Sequence, residues 1–121
     1  MINMSDVAEK SSAVARLVDD LKRYGGLNGR DIANIVGVSP PTVSRWSKGV
    51  GAPSIRKQAV IAELRWVAER LSDFYTPEEA RLWLHSAHPL LNGERAIDLI
   101  NAGRTSEVLE VIEQLDSGTY L

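Results

Sequence analysis

Two helix-start signals eleven residues apart, at Asn28 and Ser39, restrict the fold of this chain more than any other feature. Asn28 is a good N-cap, because its side-chain oxygen can accept a free backbone N–H in the first turn. Ser39 is a second N-cap, and Pro40 after it suits the first helical position, where a missing N–H has no effect. Gly37 supplies a tight bend between them. The stretch from Leu27 to Gly49 therefore predicts two short helices joined by a turn.

The apolar and polar positions of this stretch separate onto opposite helical faces. Ile32, Ile35 and Val36 share one face of the first helix, and Val43 and Trp46 face inward from the second. The side chains left facing outward from the second helix are polar or basic: Thr42, Ser44, Arg45 and Lys48. This pattern predicts a helix-turn-helix that reads DNA. An ordinary hairpin of two helices is the alternative.

The charge distribution explains how a chain of 121 residues with a net charge of −2 can bind nucleic acid. Residues 22–57 carry seven basic side chains and one acidic side chain, Asp31, whereas residues 75–121 carry eight acidic and three basic side chains. A basic segment suits phosphates, since their neutralisation releases counterions. The asymmetry predicts a second partner for the acidic half, unless that half is simply a solvated surface.

Seven residues are the candidate DNA contacts. Arg45 is expected to grip guanine O6 and N7, and Lys48, near the helix end, is better placed for a phosphate. The start of the first helix directs N–H groups and a cation at the DNA backbone. Since one such module buries little surface, a homodimer on paired half-sites is expected. The full set is Asn28, Arg30, Ser39, Thr42, Ser44, Arg45 and Lys48.

The rest of the chain shows helix signals and no two-residue alternation typical of strands. The sequence predicts an all-α fold of about six helices. A DNA-binding bundle is expected over 1–54, a connecting helix over 55–75 and a small helical domain over 76–121. The further predicted helices run from Ser5 to about Tyr24, from the Ser54 cap over 55–74, from the capping box Thr76-Pro77-Glu78-Glu79 to His88-Pro89, from about Arg95 to Asn101, and from the Thr105 cap to about Leu115.

The connecting helix carries two apolar stripes where a helix with one partner needs only one. One stripe consists of Val60, Leu64, Val67, Leu71 and Phe74. The other, well round the helix, consists of Ile55, Ala59, Ala62 and Trp66. Two stripes imply two partners. We expect Trp66 either to fill an intramolecular core or to anchor a dimer contact together with Ile55.

Enzymatic and metal-dependent functions find little support in the residues present. The chain has no cysteine, which excludes disulfides, thiolate metal sites and a cysteine nucleophile. His85 and His88 have a metal-compatible spacing, but no third ligand is apparent. We therefore expect no enzyme, no metal and no cofactor. No apolar run approaches the roughly 20 residues of a membrane span, and no signal peptide is apparent, so a cytoplasmic location is expected.

Two parts of the chain resemble known families. Residues 27–49 resemble the helix-turn-helix of the phage-repressor/Xre class. The C-terminal half is similar to the MbcA/ParS-type toxin-binding domain of Xre-like antitoxins, although Ala96 stands where that family often has proline. The residues that carry this second resemblance are Trp83-Leu84, His88-Pro89-Leu90-Leu91, Gly93, Leu99, Gly103, Val108 and Gly118-Thr119-Tyr120.

The resemblance implies an antitoxin and autorepressor. Its partner would be a toxin of the RES class, which consumes NAD⁺, and the end of the chain would obstruct the NAD⁺ pocket of that toxin. The alternatives are a dimeric repressor with no toxin partner, and a chain end that folds back on the last helix. The resemblance also implies toxin contacts from the loop at His88–Gly93. The toxin-binding residues that it implies are Trp83, His88, Leu91, Arg104, Tyr120 and Leu121.

Overall fold

Helix α1 (Met4–Gly25) packs mainly against the long helix α4 (Ile55–Leu71). The computed structural model describes the backbone of residues 4–117 and the side chains of residues 12–117. Val14, Val18 and Leu21 form the buried stripe of α1. Ser5 lies inside this helix, so the prediction that it caps the helix is wrong, because the helical backbone already begins one residue earlier.

Helices α2 (Gly29–Val36) and α3 (Pro40–Ser47) start at the predicted caps. The Asp31 N–H donates to Asn28 Oδ1 at 2.8 Å, and the Asn28 N–H donates back to Asp31 Oδ2 at 3.0 Å, which completes a capping box. Gly37 has φ +82°, a left-handed conformation that few other residues adopt without strain. Val43 and Trp46 are buried, as predicted.

Helix α4 is shorter than predicted but has two opposed apolar faces. It ends at Leu71 rather than at residue 74, because the chain turns after Ser72 and leaves Phe74 beyond the helix and 37% exposed. Its inner face is completely buried through Leu64, Val67 and Leu71. The other stripe is exposed along its whole length: Ile55, Ala59, Ala62 and Trp66.

The C-terminal part contains α5 (Pro77–His85), a 3-10 helix (Pro89–Leu91), α6 (Ala96–Asn101) and α7 (Thr105–Asp116). The predicted capping box of Thr76 and Glu79 is present. Two predicted details are wrong. Helix α5 ends at His85, three residues before His88, since the chain becomes extended at Ser86. Thr105 is the first residue of α7 and not its cap, and its hydroxyl donates to Glu63 Oε2 on α4 at 2.9 Å.

The all-α prediction is confirmed. Residues 4–117 contain seven α-helices, where about six were predicted, and their only β-type pairing is a single isolated bridge. Their buried apolar side chains form one continuous cluster, so α1–α4 and α5–α7 share a core. A side chain at Gly26 would collide with the Pro77 carbonyl oxygen, which shows how closely the start of α5 approaches the α1–α2 turn. The boundaries at 54 and 75 stay a prediction. Among the described helices, none is long and apolar enough to cross a membrane.

Candidate nucleic-acid interface and apolar groove

The outer face of α3 carries a chain of hydrogen bonds that orients Arg45. Ser39 Oγ and Thr42 Oγ1 share a hydrogen bond of 2.8 Å, and Arg45 Nη2 donates to Thr42 Oγ1 at 3.2 Å. Ser39 also caps the helix, so the first member of this chain is fixed to the backbone. The guanidinium is therefore held along the exposed face, with donors still free for a bidentate contact.

The other predicted DNA contacts lie on the surface around this face. Ser44 and Lys48 are exposed on α3 and at its C-terminal end, and Arg30 is exposed in the first turn of α2. The Asn28 oxygen is engaged in the cap of α2, so its amide nitrogen is the part available to another molecule. Whether these side chains contact DNA stays a prediction.

Asp31, the acidic residue within the basic segment, is neutralised by a residue from α5. Arg81 Nε and Nη2 donate to the two Asp31 oxygens at 2.9 and 3.0 Å. These hydrogen bonds hold the pKa of the Asp31 carboxyl below its ordinary value, although burial acts in the opposite direction. The pair removes one negative charge from the basic segment and joins α2 to α5.

The C-terminal end of α2 is held in a similar way. Asn101 Nδ2, at the end of α6, donates to the Ile35 carbonyl oxygen at 2.6 Å. Lys57 Nζ on α4 donates to the Val36 carbonyl oxygen at 3.1 Å. Both carbonyls belong to the last turn of a helix, where no intrahelical N–H is available. Side chains from α4, α5 and α6 thus fix both ends of α2.

We expect Arg81→Met to lower thermal stability by about 5 °C at neutral pH, since it leaves a carboxylate that is 8% exposed without its partner. Because the folded pKa of Asp31 is lowered, its contribution is complete above the ordinary value of 3.8 and is lost as pH falls below it. The decline in unfolding free energy from about pH 5 to about pH 3 should therefore be shallower in the variant than in the natural protein. Urea unfolding across this range measures it.

Arg23→Met is the matched control, because Arg23 forms an exposed ion pair with Asp19 at 3.5 Å within one helix. Such surface pairs contribute little to stability. Equal pH profiles for Arg81→Met and the natural protein would contradict the assigned role of the Asp31–Arg81 pair.

A second candidate surface is an apolar groove of about 260 Å³ between α5, the 3-10 helix and α7. The rings of Trp83 and His88 lie 4.3 Å apart between centroids at 35°, and His88 Nε2 lies 2.7 Å from the Trp83 carbonyl oxygen. This contact ties the loop after α5 back onto that helix. The groove is lined by Tyr75, Trp83, His88, Pro89, Leu90, Val111 and Leu115.

Of the four predicted toxin contacts that the structure describes, two line the groove, Trp83 and His88. Leu91 is 4% exposed and packs in the core, so it is not available to a partner. Leu90, which belongs to the predicted loop at His88–Gly93, is 40% exposed and lines the groove. Arg104 lies outside the groove lining and donates to Glu107 at 2.6 and 2.8 Å and to Glu94 at 3.4 Å. Tyr120 and Leu121 lie outside the described residues.

The predicted dimer residues lie on the surface. Ile55 is 87% exposed and Trp66 is 54% exposed. Trp66 therefore does not fill an intramolecular core, which was the alternative for this side chain.

Comparisons with known proteins agree with this architecture. The model of the antitoxin Xre/MbcA/ParS C-terminal toxin-binding domain matches residues 65–118. The chain is 30% identical over 118 residues to the probable mycobacterial cidal antitoxin Rv3188 of Mycobacterium tuberculosis, covering 98% of this chain and 100% of that protein. It is 29% identical over 96 residues to the mycobacterial cidal antitoxin MbcA of Mycobacterium bovis, covering 79% of this chain and 85% of that protein.

A solved structure is similar as well. A chain in the crystal structure of the M. tuberculosis MbcT-MbcA toxin-antitoxin complex matches with a TM-score of 0.78 and 28% identity, over 89% of this chain and 97% of that chain. Together these likenesses define the class of the protein: it is an antitoxin of a toxin–antitoxin system. More narrowly, it belongs to the Xre/MbcA/ParS family of antitoxins, as its resemblance over residues 83–120 predicted.

Proposed function

We propose that this antitoxin binds a RES-type toxin that consumes NAD⁺, covers the active site of that toxin, and represses its own operon as a homodimer on operator DNA. The observation that carries the toxin-binding part is the apolar groove. Its described lining residues all lie within residues 65–118, the part of the chain that the model of the toxin-binding domain matches. We place toxin neutralisation and operator binding in the cytoplasm, because the operator DNA lies there.

The physical character of the groove supports a protein partner. Aromatic and aliphatic side chains surround a concave site, and such anchoring pockets carry much of the energy of protein interfaces. The MbcT-MbcA complex shows that a similar chain assembles with a toxin. Residues 75–121 carry eight acidic and three basic side chains, and this negative charge disfavours DNA as the occupant of the groove.

The DNA-binding part of the proposal depends on the oriented Arg45 and on the basic surface of residues 22–57. A guanidinium held by Thr42 loses less conformational freedom when it binds a base edge. Neutralisation of Asp31 by Arg81 keeps a carboxylate from repelling phosphates next to Arg30. A homodimer would supply two such faces for paired half-sites.

Co-expression with the adjacent toxin gene tests the proposal. We expect a purified toxin–antitoxin complex, restored growth and an NAD⁺ level close to that of toxin-free cells. A toxin that leaves NAD⁺ unchanged when expressed alone would contradict the RES assignment. A chain that binds operator DNA but captures no partner protein in a pull-down from its host would favour a stand-alone repressor.

Deletion of Thr119–Leu121 should release toxicity and leave operator binding unchanged, because Tyr120 and Leu121 are proposed to obstruct the NAD⁺ pocket. Growth protection and cellular NAD⁺, measured during co-expression, report the loss of neutralisation. Thr119→Ala is the matched control and should protect fully. Full protection by the truncated chain would contradict the proposed obstruction, although binding through the groove could still hold.

A further inference from the structure

Helix α4 is unusual because it is apolar on two opposite sides, and only one side is covered. Leu64, Val67 and Leu71 are completely buried on the inner side. On the outer side, Ile55 and Trp66 are large apolar side chains with 87% and 54% exposure. Apolar area of this kind is costly to leave in water and typically marks an interaction surface.

The outer residues follow the spacing of a helix-pairing seam. Ile55, Ala59, Ala62 and Trp66 are separated by four, three and four residues, which is the a/d spacing of a heptad. Residues at this spacing form a straight stripe along one helix and face one partner helix. We name these four residues the outer seam.

The outer seam is also symmetric in size about its centre. Its two large residues are at the ends and its two alanines are in the middle, so reversing the direction of the helix gives the same order of large and small side chains. Two antiparallel copies would place Ile55 opposite Trp66 and Ala59 opposite Ala62, twice each. An isologous interface requires this relation, in which residue i meets residue j and residue j meets residue i.

We propose that the outer seam binds the outer seam of a second copy of this chain as an antiparallel pair of α4 helices, with Ala59 and Ala62 beside the two-fold axis. The alanines allow the helix backbones to approach closely, and each Trp66 then covers an Ile55 of the second copy. This arrangement deepens the homodimer of the proposed function, and it requires neither toxin nor DNA.

The charged residues beside the outer seam support the antiparallel direction. Arg56 and Glu63 occupy equivalent flanking positions seven residues apart. In an antiparallel pair the e positions of the two helices lie on the same side of the seam, so each Arg56 would face a Glu63 of the second copy. In a parallel pair each e position faces a g position instead, and Glu63 would meet Gln58, which carries no charge. Thr105 Oγ1 already donates to Glu63 at 2.9 Å, which fixes this carboxylate beside the seam.

The antiparallel geometry also separates like residues of the two α4 helices along the helix axis. The N-terminal ends of the two α4 helices point in opposite directions, and Ile55 of one copy lies about 16 Å along the axis from Ile55 of the other. The four side chains that each copy contributes bury less surface than a standard interface, which takes about 800 Å² from each partner. We therefore expect a dimer that dissociates on dilution.

Cysteine cross-linking tests the direction, since the chain has no cysteine of its own. A disulfide requires Cα atoms about 4.4–6.8 Å apart. We expect oxidised Ile55→Cys/Trp66→Cys double-variant protein to be mostly covalent dimer. Each single variant should give at least about tenfold less covalent dimer, because the same residue in the two copies is about 16 Å apart along the axis. The control is Ser12→Cys/Arg23→Cys, with the same spacing on exposed positions of α1.

Sedimentation equilibrium of the unmodified chain and of Ala62→Glu completes the test. The charge at an exposed position should raise the dimer dissociation constant at least about tenfold without changing the melting temperature, whereas Ala102→Glu should not raise it. Strong cross-linking of the single variants with a dimer in solution would overturn the antiparallel geometry and leave the homodimer intact. A monomer at all concentrations with no cross-linking would overturn both, without affecting the proposed toxin or operator binding.

Discussion

Arg45→Ala is expected to abolish specific binding to the operator and to leave toxin neutralisation unchanged. A bidentate contact from arginine to guanine contributes about 1–3 kcal/mol of discrimination, or about 5- to 150-fold, at each half-site. A dimer loses this contact twice. The side chain is exposed, and its hydrogen bond within the described part of the chain is to Thr42 of its own helix, so the substitution should not alter the fold. Electrophoretic mobility shifts with operator and unrelated DNA measure the effect.

Two companion variants separate base reading from general attraction to phosphate. Lys48→Ala should weaken binding to both DNAs alike and reduce the salt dependence by about one ion. Arg16→Ala, at an exposed position of α1, should have little effect. Equal loss of operator binding and toxin neutralisation in Arg45→Ala would contradict the assignment of the two activities to different surfaces.

Leu90→Asp is expected to weaken toxin binding by about 30- to 1,000-fold, corresponding to the about 2–4 kcal/mol of an interface hot spot. The substitution places a charge in the apolar groove at a side chain that is 40% exposed, so it should be tolerated by the folded chain. Titration calorimetry with purified toxin measures the affinity, and circular dichroism verifies the fold.

Leu82→Asp is the matched control, because Leu82 is a more exposed leucine on α5 that does not line the groove. It should retain most of the affinity. Equal losses in the two variants would contradict the groove as the binding site. Leu91→Asp, in contrast, should unfold the protein, since Leu91 is part of the core.

Local signals in the sequence predicted much of this fold. Asn28, Ser39, Thr76 and Glu79 form the predicted caps, because a cap depends on residues only three positions apart. The inward faces of α2 and α3 also follow from short-range periodicity. The family resemblance depended on a similar local pattern around Trp83 and His88.

The remaining features depend on contacts between distant residues. Asp31 and Arg81 are 50 positions apart, and Ile35 and Asn101 are 66 positions apart, so no spacing rule relates them. Thr105 has the appearance of a helix cap in the sequence but binds Glu63 on α4. The burial of Leu91 and the exposure of Leu90 have a similar origin, because a three-residue 3-10 helix does not reveal in the sequence which leucine faces the core.

The hydrogen bonds that hold both ends of α2 have a consequence for the degradation of this protein. A protease that cut the connection after α4 would release an N-terminal fragment in which Asp31 has lost Arg81 and the Ile35 carbonyl has lost Asn101. The fragment would also expose core side chains that α5 and α6 cover. Under the proposed function this fragment would bind operator DNA poorly, so a single cleavage would end the proposed neutralisation and the proposed repression together, and synthesis of new antitoxin would follow.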